Sequence, residues 1–301
     1  MQRRKFITLG LGAAASFAMH LPRPSFALNN REVFMLTLSN GKAIPMAGLG
    51  TYSLKGTTCI DSVYHAISIG YRLIDTAHAY GNEREVGQAV RMAISDGLAK
   101  REDITVITKL YPDQYDSPMQ AIEEGLGKLG LEWCDIMLLH HPGAGDEAAY
   151  RCMEGYVKRG RIRALGLSCF YIRELQRFLP RISIRPVLVQ NEIHPYYQDR
   201  KVTKYIQDQG IAVQAWYPLG GRGHQKGLFA DPVLRSIASK HGRSVAQVML
   251  RWNVQNGVIV IPGSSNHAHQ RENLDIFSFA LEEEEMNAIA SLDRNEKHDW
   301  Y

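Results

Sequence analysis

The sequence predicts an α/β fold, a (β/α)8 TIM barrel preceded by an N-terminal β-hairpin. Short β-rich segments alternate with helical segments eight times from Gly48 onward, which is the pattern of such a barrel. Asn40-Gly41 separates two short apolar segments, and Asn-Gly in that setting is the strongest local signal for a hairpin. The length of 301 residues and the apolar content of 45% fit one barrel with a single large core.

The predicted elements follow one another without a break in the alternation. The hairpin strands are predicted at 33–38 and 42–44. The eight barrel strands are predicted at Ala47–Thr51, Arg72–Asp75, Thr105–Lys109, Asp135–His140, Ala164–Ser168, Val187–Asn191, Ala212–Tyr217 and Val258–Ile261. The helices between them are predicted at Ile60–Ser68, Glu83–Ser95, Met119–Leu129, Glu147–Lys158, Ile172–Leu179, Lys201–Gln209, Pro232–His241 and Val245–Asn256. A doubly wound open sheet is the alternative fold, but Gly48-Leu-Gly50 is too short for the glycine-rich phosphate turn that it requires.

Charge and cysteine content exclude several classes of function. The net charge is +4, with no basic stripe and no interleaved aromatic residues, so nothing supports nucleic-acid binding. The four cysteines, Cys59, Cys134, Cys152 and Cys169, show neither a CxxC motif nor a metal-binding spacing, and we expect free thiols.

The amino terminus resembles a twin-arginine export signal. Arg3-Arg4 stands directly before an apolar run at 6–21, and Ser25-Phe26-Ala27 offers small residues for a signal peptidase. This pattern predicts a signal peptide at 1–27, a mature barrel domain at 28–301, a periplasmic location and the twin-arginine export machinery as a partner. A retained anchor is the alternative, but the run is short for a membrane-spanning helix, so we expect no stable membrane anchor.

Four polar residues stand at or just beyond the ends of successive predicted strands. Asp75 ends the second strand, and Tyr80 lies on the loop that follows it. Lys109 ends the third strand and His140 the fourth. Because the active site of a barrel lies at the C-terminal ends of its strands, these side chains are expected to meet. A phenol has a pKa of about 10, so Tyr80 could donate a proton near neutrality only with cationic or hydrogen-bonding neighbours.

The segment from Asp75 to Glu83 resembles the active-site signature of the aldo-keto reductases. The family pattern D-x-A-x-x-Y-x-N-E reads here as Asp75, Ala77, Tyr80, Asn82 and Glu83. The segments Ile107-Thr-Lys109-Leu and Asp135-x-x-Leu138-Leu139-His140-x-Pro142 are also similar to that family. The resemblance implies a catalytic tetrad of Asp75, Tyr80, Lys109 and His140, with Tyr80 as the proton donor to a carbonyl oxygen.

The same resemblance implies a nicotinamide cofactor and the residues that hold it. Those matching the nicotinamide contacts are Ser168, Gln190 and Trp216, and Leu219 is a further cofactor-binding candidate. Those matching the phosphate and adenine contacts are Ser264, Glu272 and Asn273. The family prefers NADP(H), but its Lys and Arg for the 2′-phosphate are replaced here by Gly263 and His269. NADP(H) is therefore expected with NAD(H) as a possible cofactor, and Arg271 and His267 are candidates to substitute in the phosphate contact.

Departures from the family pattern fall both at the cofactor contacts and at the predicted substrate pocket. Cys169 stands where an Asn usually helps to hold the carboxamide, and Tyr217 replaces a common Ser near the pyrophosphate. His141 replaces a Trp that often lines the substrate pocket. Tyr52 is predicted to line the pocket opposite His141. The loop after His140 is short and rich in glycine, which suggests an open pocket.

The sequence thus predicts a monomeric NAD(P)H-dependent reductase of small aldehydes, ketones or keto-sugars. The alternative is a cofactor-binding redox sensor or scaffold on the same fold with little turnover. A metal hydrolase using His140 and His141 is disfavoured, because the chain lacks His-x-His on the first strand and a further carboxylate ligand. No metal site is predicted.

Overall fold

A parallel eight-stranded barrel forms the body of the protein. The computed structural model describes residues 34–299. A short antiparallel hairpin comes first, with strands β1 (Met35–Thr37) and β2 (Ala43–Pro45). The barrel strands are β3 (Leu49–Gly50), β4 (Leu73–Asp75), β5 (Thr105–Leu110), β6 (Cys134–Leu139), β7 (Ile162–Ser168), β8 (Leu188–Glu192), β9 (Ala212–Trp216) and β10 (Val258–Val260).

The barrel strands are hydrogen-bonded in sequence order, from β3 through to β10. Closure occurs just before β3, where Ala47 pairs in parallel with Val260. The amide of Gly48 donates to the oxygen of Val260 at 2.8 Å, and the amide of Val260 donates to the oxygen of Met46 at 2.9 Å. The predicted (β/α)8 barrel with its N-terminal hairpin is therefore confirmed.

Helices alternate with the strands and cover the outside of the barrel. They are α1 (Gly56–Ser68), α2 (Glu83–Ser95), α3 (Pro118–Leu129), α4 (Asp146–Lys158), α5 (Ile172–Phe178), α6 (Arg200–Asp208), α7 (Gln225–Ala230), α8 (Pro232–His241), α9 (Val245–Gln255), α10 (His267–Leu274) and α11 (Glu283–Ala290). The first six, together with α8 and α9, lie where the sequence predicts helices. Helices α7, α10 and α11 were not predicted from the sequence.

Local sequence explains where several elements begin and approach one another. Helix α9 begins at a capping box. Oγ of Ser244 accepts from the backbone amide of Gln247, and Oε1 of Gln247 accepts from the backbone amide of Ser244. Gly50 in β3 permits close approach to the loop after β10, because a Cβ there would lie 2.5 Å from the oxygen of Ile261. This contact brings the two ends of the barrel sheet together at the rim.

The strands are buried by apolar side chains on both faces, as expected for a parallel sheet covered by helices. All four cysteines of the chain lie in the described range, and none is in a disulfide. Within residues 34–299, no helix is long and apolar enough to cross a membrane. The predicted signal peptide lies outside the described residues.

Candidate active site

At the C-terminal ends of β4 and β5, the buried Lys109 joins the buried Asp75 and the partly buried Tyr80 in one group. Its Nζ donates to Oδ1 of Asp75 at 2.6 Å and to the backbone oxygen of Thr76 at 2.9 Å. The third contact of Nζ is Oη of Tyr80, at 3.1 Å. An ammonium has three hydrogens, so these three contacts account for all of them.

Burial controls the protonation of this group. It raises the pKa of the Asp75 carboxyl, although the ammonium of Lys109 opposes the shift. It lowers the pKa of Lys109, against the charge of Asp75. Burial, and after it the charge of Asp75, raise the pKa of Tyr80 well above its ordinary value. Tyr80 therefore keeps its proton and is in the state required of an acid.

His140 follows β6 directly and lies across the cleft from Tyr80. Its ring meets those of Tyr80 and Tyr111 edge to face, with centroids 5.7 and 5.5 Å apart. Burial, and then the charges of Lys109 and His141, lower the pKa of His140 well below its ordinary value. Its Nδ1 has no hydrogen-bond partner among the described residues. The site therefore presents a neutral imidazole beside a protonated phenol.

Hydrogen bonds of the Asn82 side chain hold the loop that carries Tyr80. Its Nδ2 donates to the backbone oxygens of Thr51 and Leu54 at 2.8 and 2.9 Å, and its Oδ1 accepts from Oγ1 of Thr76 at 2.7 Å. Asn82 is fully buried. One amide thus joins the loops after β3 and β4, which explains why Asn rather than another polar residue is suited to this position.

The residues predicted to hold the nicotinamide lie around one cleft of about 360 Å³. Ser168, Gln190, Trp216 and Leu219 all line it, as do Asp75, Tyr80 and His140. Nε2 of Gln190 donates to Oδ2 of Asp75 at 2.8 Å and also to Gln214, so its Oε1 is the atom suited to accept from a ligand.

The cleft suits a flat ring that carries an amide. Trp216 supplies an aromatic wall, and its buried Nε1 has no partner in the described part of the chain. Ser168 and Gln190 supply polar atoms beside that wall. Gly50 and Gly263 also line the cleft, and a Cβ on Gly263 would lie 3.0 Å from the oxygen of Gly50. These features fit a nicotinamide ring with a carboxamide, and Gly263 directly precedes Ser264 in the chain.

The predicted phosphate and adenine residues lie on and before α10, and none of them lines the cleft itself. Ser264 accepts from the amide of Asn266 at 3.1 Å, and Asn266 caps α10 by accepting from the amides of Ala268 and His269. Glu272 is exposed, whereas Asn273 is buried.

The two candidate substitutes for the missing phosphate clamp have contacts within the protein. His267 lies 2.8 Å from Oδ2 of Asp61 and stacks on His65, with ring centroids 3.6 Å apart. Arg271 makes a long contact of 3.5 Å to the oxygen of His267, one turn earlier in the same helix.

The mouth of the cleft is lined by aromatic side chains. Tyr52 and His141, the predicted pocket residues, both line it. Tyr52 lies edge to face against Tyr80, with ring centroids 5.1 Å apart. His141 stacks on His140, and burial together with nearby positive charge lowers the pKa of His141 to about 4.

Sequence reasoning missed several further residues that line the cleft, among them Tyr111, Arg222 and Asp299. Tyr111 comes two residues after Lys109, so its place beyond a strand end could have indicated it. Arg222 lies over the ring of Tyr52 at 5.1 Å, and Asp299 belongs to the C-terminal segment. Both of these stand on irregular loops whose sequence shows no periodic signal.

Comparisons with known proteins agree with this architecture. The model of the aldo/keto reductase family matches residues 47–294. Glyoxal reductase of Bacillus subtilis (strain 168) is 38% identical over 264 residues, which cover 86% of this chain and 93% of that protein. Methylglyoxal reductase DkgA of Escherichia coli (strain K12) is 34% identical over 266 residues, covering 87% and 94%. A crystal structure of an aldo/keto reductase from Brucella melitensis has a TM-score of 0.82 at 37% identity, and the match covers 88% of this chain and 100% of that chain.

The chain belongs to the aldo/keto reductase family. It is an NAD(P)H-dependent oxidoreductase that acts on carbonyl groups, and NADP(H) is the expected cofactor.

Proposed function

We propose that the protein reduces small aldehydes, ketones or keto-sugars, with Tyr80 as the proton donor. The observation that carries this proposal is the contact of 3.1 Å between Nζ of Lys109 and Oη of Tyr80, inside a cleft that His140 also lines. The names of glyoxal reductase and methylglyoxal reductase among the relatives support a small, reactive carbonyl compound as the substrate.

Each side chain has a defined part in the proposed reaction. The reduced nicotinamide supplies a hydride to the carbonyl carbon, and Ser168, Gln190 and Trp216 would hold the ring. Tyr80 donates its phenolic proton to the carbonyl oxygen as negative charge develops there.

Lys109 and His140 assist this proton transfer. The ammonium of Lys109 stabilises the phenolate that remains on Tyr80, and Asp75 holds that ammonium in place. His140, which is neutral in this setting, hydrogen-bonds the substrate oxygen and orients the carbonyl. Burial strengthens these interactions because little water competes for them.

A panel of carbonyl compounds tests the proposal. Oxidation of NADPH should be followed with glyoxal, methylglyoxal, a simple ketone and a pentose sugar as substrates. Steady turnover with one or more of these compounds is the expected result. Tight binding of NADPH without turnover of any of them would instead support a cofactor-binding redox sensor.

We also propose that the protein is exported to the periplasm by the twin-arginine route. The paired Arg3-Arg4 before the apolar run supports this proposal, and the segment lies outside the described residues. Substituting both arginines by Lys should leave unprocessed precursor in the cytoplasm. Processed protein in the periplasm despite the change would refute the route.

A further inference from the structure

Three histidines stack in a column beside the mouth of the cleft. The ring of His298 lies between those of His194 and His224, with centroids 4.3 and 4.0 Å away and planes within 19° and 17° of parallel. Glu192 at the end of β8 and Glu296 in the C-terminal segment flank this column.

The hydrogen bonds of His298 leave it facing two acceptors. Its Nδ1 lies 2.7 Å from the oxygen of Gly220, which can only accept, so Nδ1 carries a hydrogen. Its Nε2 lies 3.3 Å from Oε1 of Glu296. In a neutral His298, a nitrogen lone pair would therefore point at a carboxylate. A metal ion held by these two atoms would remove the repulsion.

Two groups of potential metal ligands share His298, and their surroundings differ. The inner group consists of Glu192, His194 and His298. Within it, Glu192 already accepts from the backbone amides of His298 and Asp299 at 2.7 and 3.2 Å. It also lies 3.0 Å from Nε2 of His194, so its oxygens are well occupied. The inner group is therefore structural and ties the C-terminal segment to the barrel.

The outer group has the composition and access that a metal ion requires. His224, Glu296 and His298 each offer one ligand atom, and these atoms lie within 4.8 Å of one another. His224 and Glu296 are exposed, so the His224 ring can turn away from its stacked position to direct a nitrogen at a shared ion. Two imidazoles and one carboxylate form a ligand set that zinc uses in proteins.

We propose that His224, Glu296 and His298 form a binding site for Zn²⁺ at the edge of the substrate cleft. The site joins two segments that both reach the cleft. His224 follows the loop that supplies Gly221 and Arg222, and His298 precedes Asp299. Bound zinc therefore fastens the C-terminal segment to the loop after β9 and restricts the opening of the cleft mouth.

Calorimetric titration with Zn²⁺, on the full chain without an affinity tag, tests this site. The protein should bind one equivalent. His224→Gln and Glu296→Gln should each weaken binding at least about tenfold, because even residues that only orient metal ligands typically contribute that much. Glu282→Gln is the matched control, since it removes an exposed carboxylate from a different surface. Its affinity should stay within about twofold of the parent.

Amide hydrogen exchange gives a second, independent readout. Zn²⁺ should slow exchange at 218–225 and 293–299 in the parent and have no such effect in His224→Gln. No binding by the parent would overturn the proposal. Equal binding by parent, His224→Gln and Glu296→Gln would also overturn it, because the metal would then be held elsewhere.

Discussion

Lys109 is the residue on which the proposed chemistry depends most. It is fully buried, and Asp75 and Tyr80 are two of its three acceptors. Removing one member of a buried ion pair typically costs about 3–5 kcal/mol, because the other charge is left without compensation. The group that supports the proposed proton transfer therefore also contributes to the stability of the fold.

For Lys109→Met we predict a loss of about 3–5 kcal/mol in the free energy of unfolding near neutral pH. The loss should shrink at lower pH. Burial already raises the pKa of Asp75, and without Lys109 only the hydrogen bond from Gln190 opposes that shift. The folded variant therefore binds a proton more readily than the unfolded chain does, so lowering the pH stabilises it relative to the parent.

Urea denaturation of parent and variant at about pH 5 and about pH 8 checks this prediction. The double variant Asp75→Asn/Lys109→Met is the control, because it removes the buried carboxylate and should recover much of the stability. A deficit that is the same at both pH values, or no recovery in the double variant, would show that the buried charge is not the cause.

The sequence could predict which polar residues meet at the cleft, but it could not predict the backbone conformation of two other residues that line it. Asp75, Lys109 and His140 follow recognisable strands, so their meeting at one rim follows from the barrel. Cys169 and Tyr217, by contrast, have φ angles of +59° and +52°. Side chains other than glycine and Asn rarely adopt this left-handed conformation, and neither Cys nor Tyr signals it in the sequence. Both residues line the cleft, where such strain is commonly found.

Strands were easier to predict than short helices. Most barrel strands contain a short apolar run that is buried, and such runs stand out in the sequence. Helix α10 has eight residues, His267–Leu274, and only Ala268 and Leu274 are apolar. Helix α7 has six residues and follows a glycine-rich loop. Neither offers enough turns to show a helical period, so tertiary contacts determine them.

The loop between β4 and α2 depends on the buried amide of Asn82. For Asn82→Ala we predict a loss of about 2–4 kcal/mol in the free energy of unfolding, because two buried backbone oxygens and the Thr76 hydroxyl lose their partner. The turnover number should fall as well, since the loop carries Tyr80.

Thermal and urea unfolding of Asn82→Ala measure this effect. Asn287→Ala is the matched control, because Asn287 is exposed on α11, and its change should stay within about 0.5 kcal/mol. Equal stability of the two variants would mean that Asn82 does not fasten the loop.

The residues at the expected 2′-phosphate position predict weak discrimination between NADP(H) and NAD(H). A charge-assisted hydrogen bond contributes about 1.5–3 kcal/mol, and Gly263 and His269 stand where the family has a Lys and an Arg. Asp61 and His65 engage His267, which reduces its availability for a phosphate. We therefore expect NADP(H) to bind with only a small advantage over NAD(H).

The ratio of the dissociation constants for NADPH and NADH, measured at neutral pH, checks this expectation. A strong preference for NADPH would show that another residue binds the 2′-phosphate.

The central claim is that Tyr80 donates the proton in carbonyl reduction. The most direct test is the turnover number for NADPH oxidation, with the best substrate of the carbonyl panel, in the parent and in Tyr80→Phe. Tyr64→Phe is the matched control, since the Tyr64 hydroxyl bonds Asp96 away from the cleft. We predict that Tyr80→Phe loses at least about a hundredfold in turnover while cofactor affinity and fold are retained, and that Tyr64→Phe turns over like the parent. Comparable turnover by Tyr80→Phe and the parent would contradict the account.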